Sequence, residues 1–587
     1  MAASPTELAA LEQWFRANHG HLHPGIHLQH DDIFGVHYRT RATIEAGVCV
    51  ASASHAVALS YLNALVDEHF PVFQQQRHRF PVAAAGFFYL MSQWVNREIS
   101  FWKAYLDTLP TPEADFSQPL FFEQAADTAW LEGTDVWHTV RAREEVYRNY
   151  FDDGIAILRQ EGIDVQPYTC DLWTTYKSTL DGRREAVLLD MSAVPREDLE
   201  FPVLFPGLDA ANHNPRTKVD WVFDVAQFSV IVAETIEAGA EVCNNYGPKG
   251  NGELLIGYGF CIPDNPHDTV ALTLKAPPRE LQLQIQQARP AYLNACGDWN
   301  SEKATFRLGR PRCELSHASH LFSELPEALL ELLVYILRHE RGLPFHAIDE
   351  PRQYLDSEGR RYLPHIARMI VQSLNATAVR LQSAKLPSEP QNCKQQQAAI
   401  YRQGQVDIIN ALINTLKTYT RSLLWQPSPN QSMPTHPCLI RLQDFIDASK
   451  SSGTLDDAFL TGIGASANTT DLTELRLAEW EEDVWVLALC YSHLGSHRVD
   501  NSRSEPIDDS TGHEPGQAGD LMDIVDTAAS VCPDSIWANE RWSASYIASI
   551  GGRILQHDSF MIMCPKPGHE EVAEPTLCVY LDSWPGG

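Results

Sequence analysis

Residues 206–260 constrain this chain more than any other stretch. They open with Pro206-Gly207-Leu208-Asp209-Ala210-Ala211-Asn212-His213-Asn214-Pro215 and run through Trp221-Val222-Phe223-Asp224-Val225-Ala226-Gln227-Phe228-Ser229-Val230-Ile231-Val232. They close with Ile236-Glu237-Ala238-Gly239-Ala240-Glu241-Val242, Asn245-Tyr246-Gly247 and Glu253-Leu254-Leu255-Ile256-Gly257-Tyr258-Gly259-Phe260. β-Branched and aromatic residues alternate between Gly, Pro and Asn punctuation, which predicts two short strands joined through turns. Two polar clusters, Asn212-His213 and Asn245-Tyr246, flank those strands, so a site built on a small sheet is expected. Each Asn alone reads as a turn residue and each Tyr alone as core; the order and close spacing of the set carry the signal.

That order, D-x-x-N-H-x-P, then A-G-x-E-V, then N-Y-G, then E-L-L-x-x-Y-G-F, resembles the C-terminal half of a SET domain across residues 204–262. The branch it is most similar to is the Rubisco large-subunit methyltransferase-like lysine methyltransferases. The resemblance implies an α+β chain: a SET fold of short β-sheets with a helical insertion, followed by an all-helical C-terminal domain. Residues 1–265 would form the SET domain, with its N-terminal part at about 28–55, the insert at about 56–200 and the C-terminal part at about 201–265. Residues 266–587 would form the helical domain, which in the family helps hold the protein substrate.

Length and charge agree with such a protein. A chain of 587 residues exceeds what one core usually supports, so two or three domains are expected. A net charge of −31 argues against gripping nucleic acid by its phosphates and favours encounter with a basic partner. The twelve cysteines never fall as C-x-C or C-x-x-C, so no zinc knuckle or other metal site is implied. With no signal segment and no apolar run of spanning length, the expectation is an intracellular protein, cytoplasmic with the nucleus as a second compartment.

In chain order, residues 6–18 predict a helix from Leu8, Leu11, Trp14 and Phe15. Residues 32–38 and 47–50 read as a β-hairpin. Thr43-Ile44-Glu45-Ala46-Gly47 recurs verbatim at Thr235-Ile236-Glu237-Ala238-Gly239, as if the fold starts near residue 30 and completes near 260. The insert contains Phe101-Trp102-Lys103-Ala104-Tyr105 and Leu109-Pro110, a pattern the family also carries, and a stripe of Val140, Val146, Tyr147 and Tyr150. Leu172-Trp173-Thr174-Thr175-Tyr176 fits the start of a family segment whose Ser-Arg pair is missing here; Arg183 or Arg184 would be its substitute. Beyond residue 265 the texture is helical, around Leu329, Leu333 and Leu337, around Ile366 and Leu374, and around Ile409, Leu412 and Leu416. Asp471-Leu472-Thr473-Glu474 reads as a capping box opening a helix through Trp485 and Tyr491. A further helix is expected over 535–550, ended by Gly551-Gly552. Residues 494–518 read as a disordered acidic loop.

By the resemblance, the cofactor is S-adenosylmethionine. Asp32, Phe34, Asn212, His213 and Tyr246 would line it. Tyr246 would also be catalytic, its hydroxyl beside the transferring methyl, and Tyr258 and Phe260 would wall the substrate channel. The family's G-x-G turn is Ile33-Phe34-Gly35 here, and no Tyr stands at 221–223, where the family has one. The leading expectation is a protein-lysine N-methyltransferase acting on a non-histone protein, with a ribosomal protein or translation factor among the clients of the family. The alternatives are a degenerate SET domain kept as a protein-binding module, and a protein-histidine N-methyltransferase. The intact Tyr258-Gly259-Phe260 favours lysine over histidine. No membrane or nucleic-acid partner is expected.

Overall fold

Strand β4 (Cys49–Ser54) organises the largest sheet among the described residues. In the computed structural model it lies between β1 (His21–Leu22) and β8 (Gln227–Val232), and β7 (Val219–Phe223) pairs with β8, all antiparallel in the order β1-β4-β8-β7. The structure describes residues 3–31, 35–181, 201, 203–223, 227–290, 303–312, 320–387, 389–427, 434–496, 516–566 and 569–582. The expected strands in 206–260 are therefore β7 and β8. On β8, Phe228, Val230 and Val232 are buried while Gln227 is exposed, the alternation of a half-buried strand.

The expected hairpin of 32–38 with 47–50 is corrected. β3 (Gly35–Thr40) pairs back onto β2 (Ile26–Asp31), in register from Ile26 opposite Thr40 to Asp31 opposite Gly35. β4 takes β8 as its neighbour instead, placing Ala53 opposite Phe228. Alternation identifies a strand but not its partner, and the partner that buries most apolar surface lies far along the chain. β5 (Leu59–Ser60) and β6 (Val203–Leu204) form a third small pair.

The longest helices among the described residues of the insert are Val82–Val95, Asp135–Gln160 and Cys170–Asp181. The first is buried from Ala84 to Gln93, as befits an almost continuously apolar sequence. Phe88 stacks on Phe151 (6.1 Å between centroids) and packs on Trp173 at 4.8 Å. Gly154 permits that approach, since a Cβ there would lie 1.9 Å from the Phe88 ring. Thr134 caps the 26-residue second helix by accepting the Trp137 N–H at 3.3 Å. Of the predicted stripe, Val140 is buried and Tyr147 and Tyr150 are partly buried, but Val146 is exposed. The buried face continues instead through Ile157 and Leu158. Arg183 and Arg184 lie outside the described residues.

Residues 1–270 and 377–409 form one compact unit, and residues 271–376 and 410–587 another. Besides its main core, the first unit has a smaller one in which Leu131, Val136, Val140, Leu255 and Cys261 meet Ala398 and Tyr401.

The second unit is mainly helical, with Glu327–Glu340 and Glu481–Ser496 among its buried helices. The helical reading lacked several strands beyond residue 265: β9 (Thr269–Lys275) pairs with β10 (Lys303–Gly309), and β11 (Cys438–Arg441), β12 (Ser559–Lys566) and β13 (His569–Leu581) form a sheet in the order β11-β13-β12. Asp471 caps as expected, accepting the N–H groups of Thr473 (2.8 Å) and Glu474 (3.1 Å). Its helix ends at Leu477, however, and Glu479 at φ +63° breaks the run before Glu481. Gly551-Gly552 does not end a helix either; a π-helical segment over Ala548–Gly552 leads into the helix Arg553–Asp558. Gly551 instead admits the Val486 carbonyl, which a Cβ would meet at 2.3 Å. Of the expected loop 494–518, residues 497–515 lie outside the described residues, and 494–496 close the helix before them.

Candidate active site

The Asn212-His213 and Asn245-Tyr246 clusters, more than thirty residues apart in sequence, lie side by side in a parallel bridge between His213 and Asn244. The Asn244 N–H donates to the Asn212 carbonyl (2.7 Å), and the Asn214 N–H donates to the Asn244 carbonyl (2.9 Å). Asn244, buried, fixes the junction: its carboxamide oxygen accepts the Trp221 indole N–H (3.0 Å) and the Asn245 N–H (2.7 Å). Asn245 ties the turn off, donating to the Thr217 carbonyl (3.1 Å) and accepting the Gly247 N–H (3.0 Å). Trp221, where the resemblance leads one to expect a tyrosine nearby, thus has a bonding role of its own.

This bridge gathers the aromatic rings. His213 stacks on Tyr246 (5.0 Å, 20°), and Tyr246 stacks on Tyr258 (4.8 Å, 29°). Phe260 leans on both His213 and Tyr258 at 6.2 Å. The Tyr246 hydroxyl donates to the Ala211 carbonyl at 3.1 Å, and the Tyr246 N–H donates to Nδ1 of His213 at 3.0 Å. An Nδ1 that accepts leaves the ring proton on Nε2. Burial, together with Lys249 and His267, holds the His213 pKa below its ordinary value, so the imidazole is neutral around pH 7. The Asn212 carboxamide donates to Glu241 at 2.8 Å, which sets its orientation.

Tyr258 and Phe260 reach the group through the helix Asn251–Tyr258, which ends on Gly259 at φ +79°. A side chain at 259 would meet both that backbone strain and the Gln118 N–H at 3.0 Å. The Phe101-Trp102-Lys103-Ala104-Tyr105 segment anchors the other flank. The Tyr105 hydroxyl donates to Asp209 (2.7 Å), whose same oxygen accepts the Phe205 N–H (2.9 Å), and the Trp102 indole donates to the Val57 carbonyl (2.9 Å).

Five of the residues singled out in the sequence, Asn212, His213, Tyr246, Tyr258 and Phe260, therefore come together. Asp32 and Phe34 lie outside the described residues. Sequence reasoning missed three supporting groups: Glu241, although it is the acidic member of A-G-x-E-V; Asn244; and Asp209 with Tyr105. Nucleophilic thiol chemistry finds no support at Cys243, where burial, then Glu241, push the thiol up to about 11. No helix among the described residues is long and apolar enough to cross a membrane.

No protein-family model matches the chain. It is similar to "Ribosomal lysine N-methyltransferase set10" of Schizosaccharomyces pombe, 27% identical over 344 residues that cover 56% of this chain and 58% of that protein. It is 47% identical over 75 residues to "Ribosomal lysine N-methyltransferase 1" of Saccharomyces cerevisiae, 13% of each chain. The chain thus spans less than two thirds of the length of either relative. Among solved structures, the SET domain of LSMT bound to MeLysine and AdoHcy superposes with a TM-score of 0.51 at 16% identity, over 71% of this chain and 92% of that one. The chain has the fold of that SET domain.

Proposed function

We propose that this chain is an S-adenosylmethionine-dependent protein-lysine N-methyltransferase acting on a non-histone protein. The observation that carries the reading is the row of His213, Tyr246 and Tyr258 rings closed by Phe260, with one hydroxyl fixed on the Ala211 carbonyl. The residues fit the cofactor. The donors and acceptors bonded around the rings are neutral apart from Glu241 and, on the flank, Asp209, and Gly247 (φ +92°), next to Tyr246, leaves open space where a Cβ would stand. Bound S-adenosylmethionine supplies an electrophilic methyl group on a sulfonium.

Asn212, oriented by Glu241, and neutral His213 would hold its methionyl and adenine ends, with Asp32 and Phe34 completing the pocket. Tyr246 would present its oxygen to the polarised methyl carbon. Tyr258 and Phe260 would enclose the lysine side chain, whose amine must arrive neutral although its ordinary pKa is ~10.4. An apolar channel favours that form, because desolvation penalises the ammonium. The same rings keep water out and align amine and methyl. No general base is required.

Two relatives are named ribosomal lysine methyltransferases, so a ribosomal protein is the first substrate to try and a translation factor the second. A basic substrate suits a chain of net charge −31. The helical second unit is the proposed holder of that protein, and the cytoplasm its place of action, with the nucleus second.

The test is calorimetric titration with S-adenosylmethionine, followed by transfer of labelled methyl to ribosomal proteins and translation factors from cells lacking this chain. Binding with transfer to lysine supports the reading. Absence of cofactor binding leaves the protein-binding module, and label on histidine leaves the other enzyme.

A further inference from the structure

One carboxylate outside the aromatic group is bonded to the start of the segment that carries Tyr258 and Phe260. Asp268 is buried, and its Oδ1 accepts the N–H of Asn251, the first residue of the Asn251–Tyr258 helix, at 3.0 Å and the Thr269 N–H at 3.0 Å. Its Oδ2 accepts the Asn251 carboxamide N–H at 3.3 Å. The buried Asn251 side chain then reaches the far end of the same segment. Its oxygen accepts the N–H of Ile262 (2.9 Å) and the Asn265 carboxamide (3.1 Å), and its nitrogen donates to the Ile262 carbonyl (3.0 Å). One side chain therefore ties both ends of residues 251–262, and Asp268 holds that side chain. Gln397 adds a third tie by accepting the Cys261 N–H at 2.7 Å.

The clamp has no slack. A Cβ on Gly404, in the helix Cys393–Ser422, would lie 2.8 Å from Asp268 Oδ2, and one on Gly250 would lie 3.2 Å from the His267 carbonyl. A second carboxylate, Asp135, lies near enough to repel Asp268, and it is held by the Tyr401 hydroxyl. Capping an eight-residue helix does not need this arrangement. A Ser, an Asn or a solvated Asp does so without the cost of a buried charge beside another acid.

We propose that Asp268, acting through Asn251, is a positioning residue that sets the Tyr258–Phe260 wall against Tyr246, and so governs the fit of the lysine side chain but not of the cofactor. This rests on the methyltransferase reading above. The cofactor side is built from residues 211–214 and 241–247, which hold one another by the bonds already described, whereas the lysine side hangs on residues 251–262.

The test uses the full chain, with S-adenosylhomocysteine and free ε-N-monomethyllysine as probes. Asp268→Asn keeps the volume and removes the charge. Because an amide NH2 then replaces the Oδ2 that accepts from Asn251, its melting temperature at pH 7.5 should fall modestly; its affinity for S-adenosylhomocysteine should stay within about twofold, while that for monomethyllysine falls by ~10-fold or more. Gly404→Ala provides a second perturbation, pushing on Oδ2 without deleting any polar group, and should shift the same affinity in the same direction. A purely structural cap behaves otherwise: stability and both affinities fall together, which overturns the proposal. Unchanged monomethyllysine affinity in a folded, cofactor-binding Asp268→Asn or Gly404→Ala protein overturns it as well. If the unmutated protein binds neither probe, it is the methyltransferase reading that fails.

Discussion

Ile44 and Ile236 exchange both of their backbone hydrogen bonds, the Ile44 N–H reaching the Ile236 carbonyl at 2.9 Å and the reverse bond measuring 2.8 Å. They are the second residues of the two identical Thr-Ile-Glu-Ala-Gly pentapeptides, so the echo in the sequence is a pair of turns lying against each other in the fold. Gly47 (φ +84°) donates to the Val232 carbonyl at 2.7 Å and Gly239 (φ +82°) donates to the Thr40 carbonyl at 3.1 Å, each turn bonding to the end of a neighbouring strand. The repeat thus joins the strands before and after the long insert.

The first prediction follows from those glycines. Nothing lies within 4 Å of a Cβ built at either position, so Gly→Ala adds no clash and leaves only the left-handed backbone strain. Gly47→Ala and Gly239→Ala should each lower stability by ~1–2 kcal/mol in denaturant titrations. A larger loss would mean that the turns shift on substitution.

Tyr246→Phe keeps the stack with His213 and Tyr258 and removes only the hydroxyl on the Ala211 carbonyl. Cofactor affinity and melting temperature should change little while single-turnover methyl transfer falls by ~10²-fold, the scale of one preorganised contact to a transition state. Unchanged transfer in a folded, cofactor-binding variant would take Tyr246 out of the reaction.

Asn212→Ala leaves Glu241 without its carboxamide partner at 2.8 Å. Calorimetry should show cofactor binding weakened by ~1–3 kcal/mol, the scale of removing one partner of a polar pair that the bound cofactor would cover. Equal affinity would assign Asn212 to the turn alone.

Asp268 should make stability fall as pH rises. Burial pushes its carboxyl up to about 6, although the N–H groups of Asn251 and Thr269 pull the other way. The folded form therefore binds the proton more tightly than the unfolded form, whose carboxyl titrates near ~3.9. Stability contributed by this group is greatest below the unfolded value and is lost as pH rises to about 6, a difference of ~3 kcal/mol. Denaturation at pH 5 and pH 7.5 should show Asp268→Asn losing less stability over that interval than the unmutated chain. Equal losses would contradict the assignment.

A chain ending near residue 300 should be unstable in its first unit, although residues beyond 265 show no catalytic motif. Residues 377–409 belong to that unit. Arg402 donates to the carbonyls of Trp130 (3.2 Å) and Glu132 (2.7 Å), and Ala398 and Tyr401 cover Leu255 and Cys261. Loss of these groups should cost ~3 kcal/mol or more and lower the melting temperature of the cofactor-binding unit. An unchanged melting temperature would show that 377–409 are dispensable.

What the sequence determined by itself was local and ordered. Alternation at 221–232 announced β7 and β8, the repeated pentapeptide announced that the segments near 45 and 237 belong to one fold, and the succession Asn212-His213, Asn245-Tyr246, Tyr258-Gly259-Phe260 named the five residues that the structure gathers. These are legible because strand period, turn geometry and residue chemistry are properties of neighbours in the chain. Choices between distant partners were decided only by the tertiary structure. It paired Cys49–Ser54 with Gln227–Val232, turned Glu241 to Asn212, set Asp268 under Asn251 and brought residues 377–409 to Leu255. It also made a sheet of β11, β12 and β13 in a half of the chain that reads as helical. Each of those outcomes depends on burying apolar surface and satisfying buried polar groups between segments far apart in sequence, and a periodicity that spans a few residues carries no information about which distant segment will do so.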